Sequence, residues 1–208
     1  MNSYPKKVSE NILPLSVAGT LPEAFKEWSF TEKTIDHEEP VEICQLCEHE
    51  ELRYHFEITN AFTKKSLWVG SQCILKFGLS VFDSGQHLSP ERAKRKLDRL
   101  TQHMRLESCI KALEKLALKE QNTILDSALE YYKKNKCLTP KFAFIVLWRL
   151  QENDIDHSPS FFKVNLKKDK YQQDLREMPS KRVHIIWSAL SIYQRRMAIE
   201  LGHSAPLV

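Results

Sequence analysis

The sequence predicts an α+β, mainly α fold, in which a small zinc-bound β-hairpin module precedes a helical domain. Only five glycines occur in 208 residues, too few for the many tight turns of a large all-β protein. One segment, 52–59, alternates apolar and polar residues with the period of a strand. From residue 89 onward, apolar residues recur at helical spacing. We therefore expect an N-terminal region, 1–88, with the zinc module at 40–80, and a basic helical domain at 89–208.

The N-terminal region contains one clear hairpin pattern. Residues 1–38 show no sustained period, although Pro22 suits the first turn of a short helix. The alternating strand 52–59 is followed by a polar turn, and 66–69 can return as the second strand. Residues 72–77 then predict a short helix that ends at Gly78.

The helical region begins at Ser89-Pro90, where serine suits the N-cap and proline the first helical position. Two apolar stripes follow, one within 93–104 and one within 106–117. At about 100° per residue they point roughly 140° apart. Either the helix breaks near Arg105 or it is buried on two sides.

Further elements are predicted along the rest of the chain. Helices are expected at 122–134 and 140–151, and the second of these is apolar all round at its centre, as in a buried helix. Residues 161–166 fit a short strand, and 180–202 fit a last long helix.

The cysteine spacing gives the strongest chemical signal. Cys44 and Cys47 form a Cys-x2-Cys knuckle, which places two thiolates on one side of a tight turn. Cys73 falls in the first turn of the helix after the hairpin, where exposed N–H groups favour a thiolate. The pattern predicts a structural Zn²⁺ ion, and the alternative is that the three cysteines pack as small apolar side chains.

Knuckle, hairpin and helix in this order resemble the treble-clef class of zinc fingers, over residues 40–80 only. Treble clefs commonly take two ligands from the helix, but Lys76 occupies the expected place of the second. His49 is the first choice for the fourth ligand because it lies beside the knuckle. The alternatives are His55, His37 and Asp83.

Charge is distributed unevenly. Residues 1–88 carry 8 Lys and Arg against 13 Asp and Glu, whereas residues 89–208 carry 23 against 14. This asymmetry predicts that a polyanionic partner would meet the C-terminal part. One candidate surface is a helical stripe at i, i+3, i+4 and i+7, and it consists of Arg92, Arg95, Lys96 and Arg99. A solvated face neutralised by acids elsewhere in the fold is the alternative.

A second basic cluster interleaves lysines with aromatic residues, as in surfaces that hold single strands. Its cations are Lys163, Lys167, Lys168 and Lys170. The same residues also fit an ordinary amphipathic strand, in which Phe162 packs in the core.

Several function classes lack a signal in the sequence. The P-loop, HExxH, GxSxG and GxGxxG motifs are absent, and the longest apolar run, 142–148, is too short to span a bilayer. Five cysteines without an export signal indicate a reducing, cytoplasmic location. We expect a non-enzymatic, zinc-stabilised protein that binds DNA or RNA. A protein–protein adaptor or inhibitor with a purely structural zinc is the alternative, and an unrecognised nuclease or hydrolase is a third hypothesis.

The knuckle, the Leu-x-Val-Gly-Ser-x-Cys segment at 67–73 and the basic helical body are together similar to uncharacterised proteins of bacteria and their phages. This resemblance implies a regulatory role or one in a phage or another mobile element. It implies neither a particular nucleic acid nor a sequence preference.

Overall fold

The computed structural model describes residues 6–206 and divides the chain into two units, Met1–Met104 and Arg105–Val208. The first unit contains a three-stranded antiparallel sheet, and the second is helical. This confirms the α+β, mainly α class. Each unit has its own apolar core.

The first unit combines short helices with the sheet. Its helices are α1 (Lys6–Ile12), α2 (Leu21–Lys26) and α3 (Ser71–Lys76). Its strands are β1 (Trp28–Asp36), β2 (Tyr54–Asn60), β3 (Ser66–Val69), β4 (Phe82–Asp83) and β5 (Gln86–His87). The main sheet has the order β1-β2-β3, and β4 and β5 form a separate two-stranded hairpin. The predicted hairpin and the helix after it are thus present.

Strand β1 lies in a region where the sequence showed no sustained period. Its start is buried at Trp28 and Phe30, but the pairing with β2 shifts register between Phe30 and Thr34. Glu32, inside this irregularity, has a left-handed φ of 71°. A bulge of this kind interrupts the apolar alternation, so the period-2 signal does not extend along the strand.

Helix α4 (Pro90–Glu120) is continuous through Arg105, so the prediction of a helix buried on two sides is the one that holds. Its first half contributes Ala93, Leu97 and Met104 to the core of the first unit. The second half contributes Cys109, Leu113 and Ala117 to the core of the second. The first unit therefore extends to Met104, past the predicted boundary after residue 88.

The second unit is built around α6 (Pro140–Glu152), which packs against its neighbouring helices. The others are α5 (Thr123–Asn135), α7 (Asp169–Arg176), α8 (Ser180–Ile186) and α9 (Ile192–Glu200). Side chains of Asn122 and Thr139 cap α5 and α6 by accepting hydrogen bonds from the backbone. Helix α6 is not buried all round, because Trp148 remains 38% exposed.

The predicted strand at 161–166 is wrong. Only Val164 forms a bridge, to Leu138, because the partner segment turns into α6 at Pro140. Phe162, Val164 and Leu166 are nevertheless buried, so the alternating pattern reflects core packing without a strand.

The predicted helix at 180–202 is two helices. Leu190 is extended, with ψ at 136°, and Ser191 then caps α9 through a reciprocal capping box with Gln194. The apolar stripe continues past this break because Val183, Leu190 and Ala198 join the same core.

A carboxylate at the start of the sheet joins three segments of the first unit. Glu27 is 8% exposed and accepts hydrogen bonds from the backbone N–H groups of Val17 and Ala18 and from the amide of Asn60. The bond from Asn60 lowers the pKa of Glu27 most strongly, and the backbone bonds add to this against the opposing effect of burial. Because the folded-state pKa is lowered, this stabilisation is present above the unfolded-state pKa and is lost as pH falls through the lowered value.

We therefore expect Glu27→Gln to lower the melting temperature at neutral pH, and we expect the difference from wild type to shrink as the pH falls from about 5 to about 3. Thermal melts followed by circular dichroism across this range test the prediction. Glu23→Gln is the matched control, because Glu23 is an exposed carboxylate paired only with Lys26. Equal melting of Glu27→Gln and wild type at neutral pH would contradict it.

Candidate functional site

Three cysteine side chains converge in the first unit. The sulfur atoms of Cys44, Cys47 and Cys73 all lie within 4.8 Å of one another. The Sγ–Sγ distance is 3.6 Å from Cys44 to Cys73 and 3.2 Å from Cys73 to Cys47. These distances exceed the S–S bond length of a disulfide, about 2.05 Å, and all three cysteines are free. Thiolates on a tetrahedral zinc ion lie about 3.8 Å apart, given Zn–S bonds of about 2.3 Å, so small movements would accommodate a metal ion.

The knuckle turn orients the first two thiols. The N–H of Glu48 donates to the carbonyl of Cys44, and the N–H of Cys44 donates to the carbonyl of His49. Glu48 adopts a left-handed φ of 57°, which reverses the chain directly after Cys47. Gln45 ties the turn to β3, since its N–H donates to the carbonyl of Trp68 and its side chain accepts from the N–H of Trp68.

Helix α3 supplies the third thiol. The N–H of Cys73 donates to the carbonyl of Gly70, the residue before the helix. A Cβ atom at position 70 would lie 3.3 Å from the side chain of Leu52, so glycine allows β3 and α3 to approach that residue closely. Cys44 and Cys73 are 1% and 7% exposed, which places two of the three sulfur atoms out of bulk water.

Hydrogen bonds link the three thiols, with Cys73 between Cys44 and Cys47. The thiol of Cys73 lowers the pKa of Cys44 by hydrogen bonding to it, and backbone N–H groups of Cys47, Gly70 and Leu46 lower it further. The pKa of Cys73 is raised by the same bond and by burial. The surroundings therefore favour a thiolate at Cys44, the form that binds metal ions. A cluster of three cysteine sulfur atoms can hold a metal ion.

The predicted candidates for a fourth ligand differ in position. His49 lines a cavity of about 540 Å³ together with the three cysteines and Lys76. His55 is buried elsewhere, with Nε2 3.2 Å from the carbonyl of Ile43 and Nδ1 3.2 Å from Nε2 of His37. Asp83 lies 3.2 Å from Nζ of Lys96. Within residues 6–206, His49 is the candidate that faces the cysteine cavity, although its ring lies outside the three-sulfur cluster.

The basic stripe of α4 borders a separate groove of about 490 Å³. Three of its cations, Arg92, Arg95 and Arg99, are exposed. The opposite wall consists of residues of the β4–β5 hairpin and the segment after it, namely Asp83, Ser84, Gln86 and Leu88. Three arginines of one helix therefore line a common groove.

Lys96 belongs to the same stripe but has partners within the protein. Its Nζ donates to Glu32, to the carbonyl of Phe82 and to Asp83, and its side chain is 16% exposed. Burial lowers the pKa of Lys96, but the hydrogen bonds to the two carboxylates outweigh this and leave the pKa raised. The charge of Lys96 is thus engaged in holding the β4–β5 hairpin and the β1 bulge to α4.

The second predicted cluster keeps its lysines and the ring of Tyr171, whose centroid lies 5.7 Å from Nζ of Lys168, but it loses the ring of Phe162. Phe162 is fully buried, so it packs in the core and is not available to stack on a base. The lysines remain exposed, and no described carboxylate forms an ion pair with them; they are Lys163, Lys167, Lys168 and Lys170.

Sequence reasoning missed an aromatic pair on α6. The rings of Phe144 and Trp148 are parallel within 6°, with centroids 6.0 Å apart. Arg182 of α8 lies over Phe144, with Cζ 4.7 Å from the ring centroid. The i, i+4 spacing of the two aromatics was visible in the sequence, but the run of apolar residues around them concealed which side of α6 is exposed.

Comparison of the chain with protein-family models, curated proteins and solved structures found no match. Among the described residues, no helix is both long enough and apolar enough to cross a membrane. The function is therefore inferred from the geometry and chemistry of these sites.

The cysteine cluster predicts that Cys73→Ser will weaken metal binding and lower the melting temperature of the metal-loaded protein, because one of three thiolates is lost. Titration with Co²⁺, followed by the thiolate charge-transfer absorbance, measures the binding. Cys137→Ser is the matched control, since Cys137 is a free, partly exposed thiol outside the cluster. Similar Co²⁺ spectra for Cys73→Ser and wild type would argue against a metal site here.

Proposed function

We propose that this protein is a non-enzymatic, zinc-stabilised nucleic-acid-binding protein. The observation that carries the proposal is the groove on α4, where Arg92, Arg95 and Arg99 are exposed and side by side. None of these guanidinium groups forms an ion pair with a carboxylate among residues 6–206. Arg95 lies near Glu91, but three neighbouring cations that form no internal ion pair still favour an external anion.

Phosphate is the anion that suits this groove. Arginine presents a planar fork of N–H donors that matches two phosphate oxygens, and its charge persists at any physiological pH. Because each arginine that contacts a phosphate releases condensed counterions, binding should weaken as salt rises. Contacts of this kind carry no base information, so the proposal names nucleic acid in general, DNA or RNA.

Zinc is the metal that best suits the cysteine cluster. Thiolate donors in a tetrahedral arrangement favour zinc, and structural zinc sites have four protein ligands. The order of knuckle, hairpin and helix supports a treble-clef-like module. In this role zinc would hold the knuckle against α3, and a complete ligand set would leave no open position for catalysis.

We infer that His49 is the fourth ligand. Its carbonyl already accepts the N–H of Cys44, which keeps residue 49 beside the knuckle. His49 lines the same cavity as the three cysteines, so a change of side-chain rotamer can bring a ring nitrogen toward the metal.

We expect His49→Ala to weaken zinc binding while leaving the cysteine ligands in place. Co²⁺ bound to the variant should keep thiolate charge-transfer bands but lose the visible spectrum of the S₃N site. His87→Ala is the control, because His87 is exposed on β5, outside the cysteine cavity. An unchanged visible spectrum for His49→Ala would assign the fourth position to another ligand.

A protein-binding role is the second candidate, and exposed apolar side chains near the main hairpin favour it. Phe62, in the turn between β2 and β3, is 69% exposed, and Val41 and Ile43 before the knuckle are 66% and 49% exposed. An adaptor or inhibitor using these residues would associate with its partner with little dependence on salt.

The groove predicts that Arg95→Gln will weaken nucleic-acid binding and reduce the log–log salt slope by about 1, since one phosphate contact is lost. Fluorescence anisotropy of labelled DNA and RNA across a salt series measures both quantities. Lys94→Gln is the matched control, because Lys94 directly precedes Arg95 in α4, pairs with Asp98 and does not line the groove.

Equal effects of Arg95→Gln and Lys94→Gln would show that the groove is not the contact surface. Absence of binding to every strand at low salt would overturn the nucleic-acid proposal and favour a protein partner.

A further inference from the structure

The second unit has aromatic residues of α6 beside exposed cations of α8. Phe144 and Trp148 lie one turn apart on α6, and Lys181 and Arg182 lie at the start of the adjacent helix α8. We refer to these four residues as the aromatic platform. Arg182 lies over the ring of Phe144, which in turn lies parallel to Trp148.

Trp148 is the unusual member of the platform. The residues directly before it on α6, Val146 and Leu147, are 0% and 1% exposed, whereas Trp148 is 38% exposed. Tryptophan is a large apolar side chain that is highly buried on average, and leaving it in water forgoes hydrophobic stabilisation. Phe144 and Arg149 both lie against this ring, and the part that remains exposed is available to contact another molecule.

The cations of the platform also form no ion pair within residues 6–206. No carboxylate in the described part of the chain forms an ion pair with Lys181 or Arg182. Arg149 differs, because it contacts Trp148 but is paired with Glu120 and Glu152, so its charge is already balanced. The second unit as a whole carries 18 Lys and Arg against 12 Asp and Glu, which favours an anionic partner.

The ring of Phe144 holds the guanidinium group of Arg182 close to α6. A cation–π contact of this kind attracts the charge to the ring without requiring an N–H hydrogen bond. The ring of Phe144 therefore limits the freedom of the arginine without using its hydrogen-bond donors.

We propose that the aromatic platform binds single-stranded nucleic acid, with an unpaired base stacked on Trp148 and Arg182 and Lys181 in contact with nearby phosphates. Within a duplex, both faces of each base are covered by its neighbours, so only an unpaired strand offers a free face. Stacking of this kind tolerates any base sequence. The inference rests on the proposed nucleic-acid-binding function and adds the class of strand that the second unit recognises.

The test compares a labelled single strand with a duplex of the same length, using the full-length, zinc-loaded protein and fluorescence anisotropy. The wild type should bind the single strand more tightly. Trp148→Ala should weaken single-strand binding by about 5- to 150-fold, the range for loss of one base–aromatic stack. Its log–log salt slope should stay unchanged, because no charge is removed.

Two further variants keep the test informative. Tyr193→Ala is the matched control, since Tyr193 is an aromatic residue of α9 that is 72% exposed and lies outside the platform. Trp148→Phe retains an aromatic ring, so it should lose less affinity than Trp148→Ala. A single strand should also quench the intrinsic fluorescence of the wild type more than that of Trp148→Phe, which provides a readout if the alanine variant melts early.

The outcomes separate the two proposals. Equal affinity for single strand and duplex, together with unchanged binding by both Trp148 variants, would overturn the platform and leave the arginine groove as the binding surface. In that case Arg95→Gln would still weaken binding. No binding of either strand at low salt would overturn both proposals and indicate that the exposed tryptophan serves a protein partner.

Discussion

The sulfur atoms of Cys44, Cys47 and Cys73 join two segments that lie on either side of the β2–β3 hairpin. The β2–β3 hairpin alone would be marginally stable in water, so pairing with β1 and contacts around the hairpin must keep the knuckle and α3 together. Zinc in finger peptides contributes on the order of 10–16 kcal/mol of binding free energy, which becomes folding free energy when the site forms only in the folded state. In the proposed function, the metal thereby stabilises the module that packs against the first half of α4.

The fold also sorts the cations of this chain into two groups. Lys96 and Arg149 are largely buried and bonded to carboxylates, so they stabilise the protein's own contacts. Arg92, Arg95 and Arg99 in the first unit, and Arg182 in the second, have no such partner among residues 6–206. A net charge of +4 conceals this difference. The position of each cation relative to carboxylates, more than the total charge, determines which of them can attract a phosphate backbone.

Signals within a few residues of one another explain most of what the sequence predicted correctly. Ser89-Pro90 and Thr139-Pro140 precede α4 and α6 because a cap and a proline suit a first helical turn wherever that turn lies. The alternation in β2 and the glycine after α3 are equally local. The Cys-x2-Cys spacing predicted the cysteine cluster because a knuckle orients two thiols by its own turn, and Cys73 lies in the first turn of a helix that was itself predictable. The sequence alone therefore determined the fold class, most helices and the three thiols of the site.

Tertiary structure decided what depends on residues distant in the chain. Strand β1 forms because β2 pairs with it across a bulge, and residues 161–166 fail to form a strand because their partner turns into α6. Lys96 is neutralised by Glu32, 64 positions away. Trp148 is exposed because the neighbouring helices pack against the other faces of α6. Periodicity reports which residues are apolar and how they are spaced. It contains no information on which face meets a neighbour or which charge meets a counter-charge, because those contacts exist only once the chain has folded.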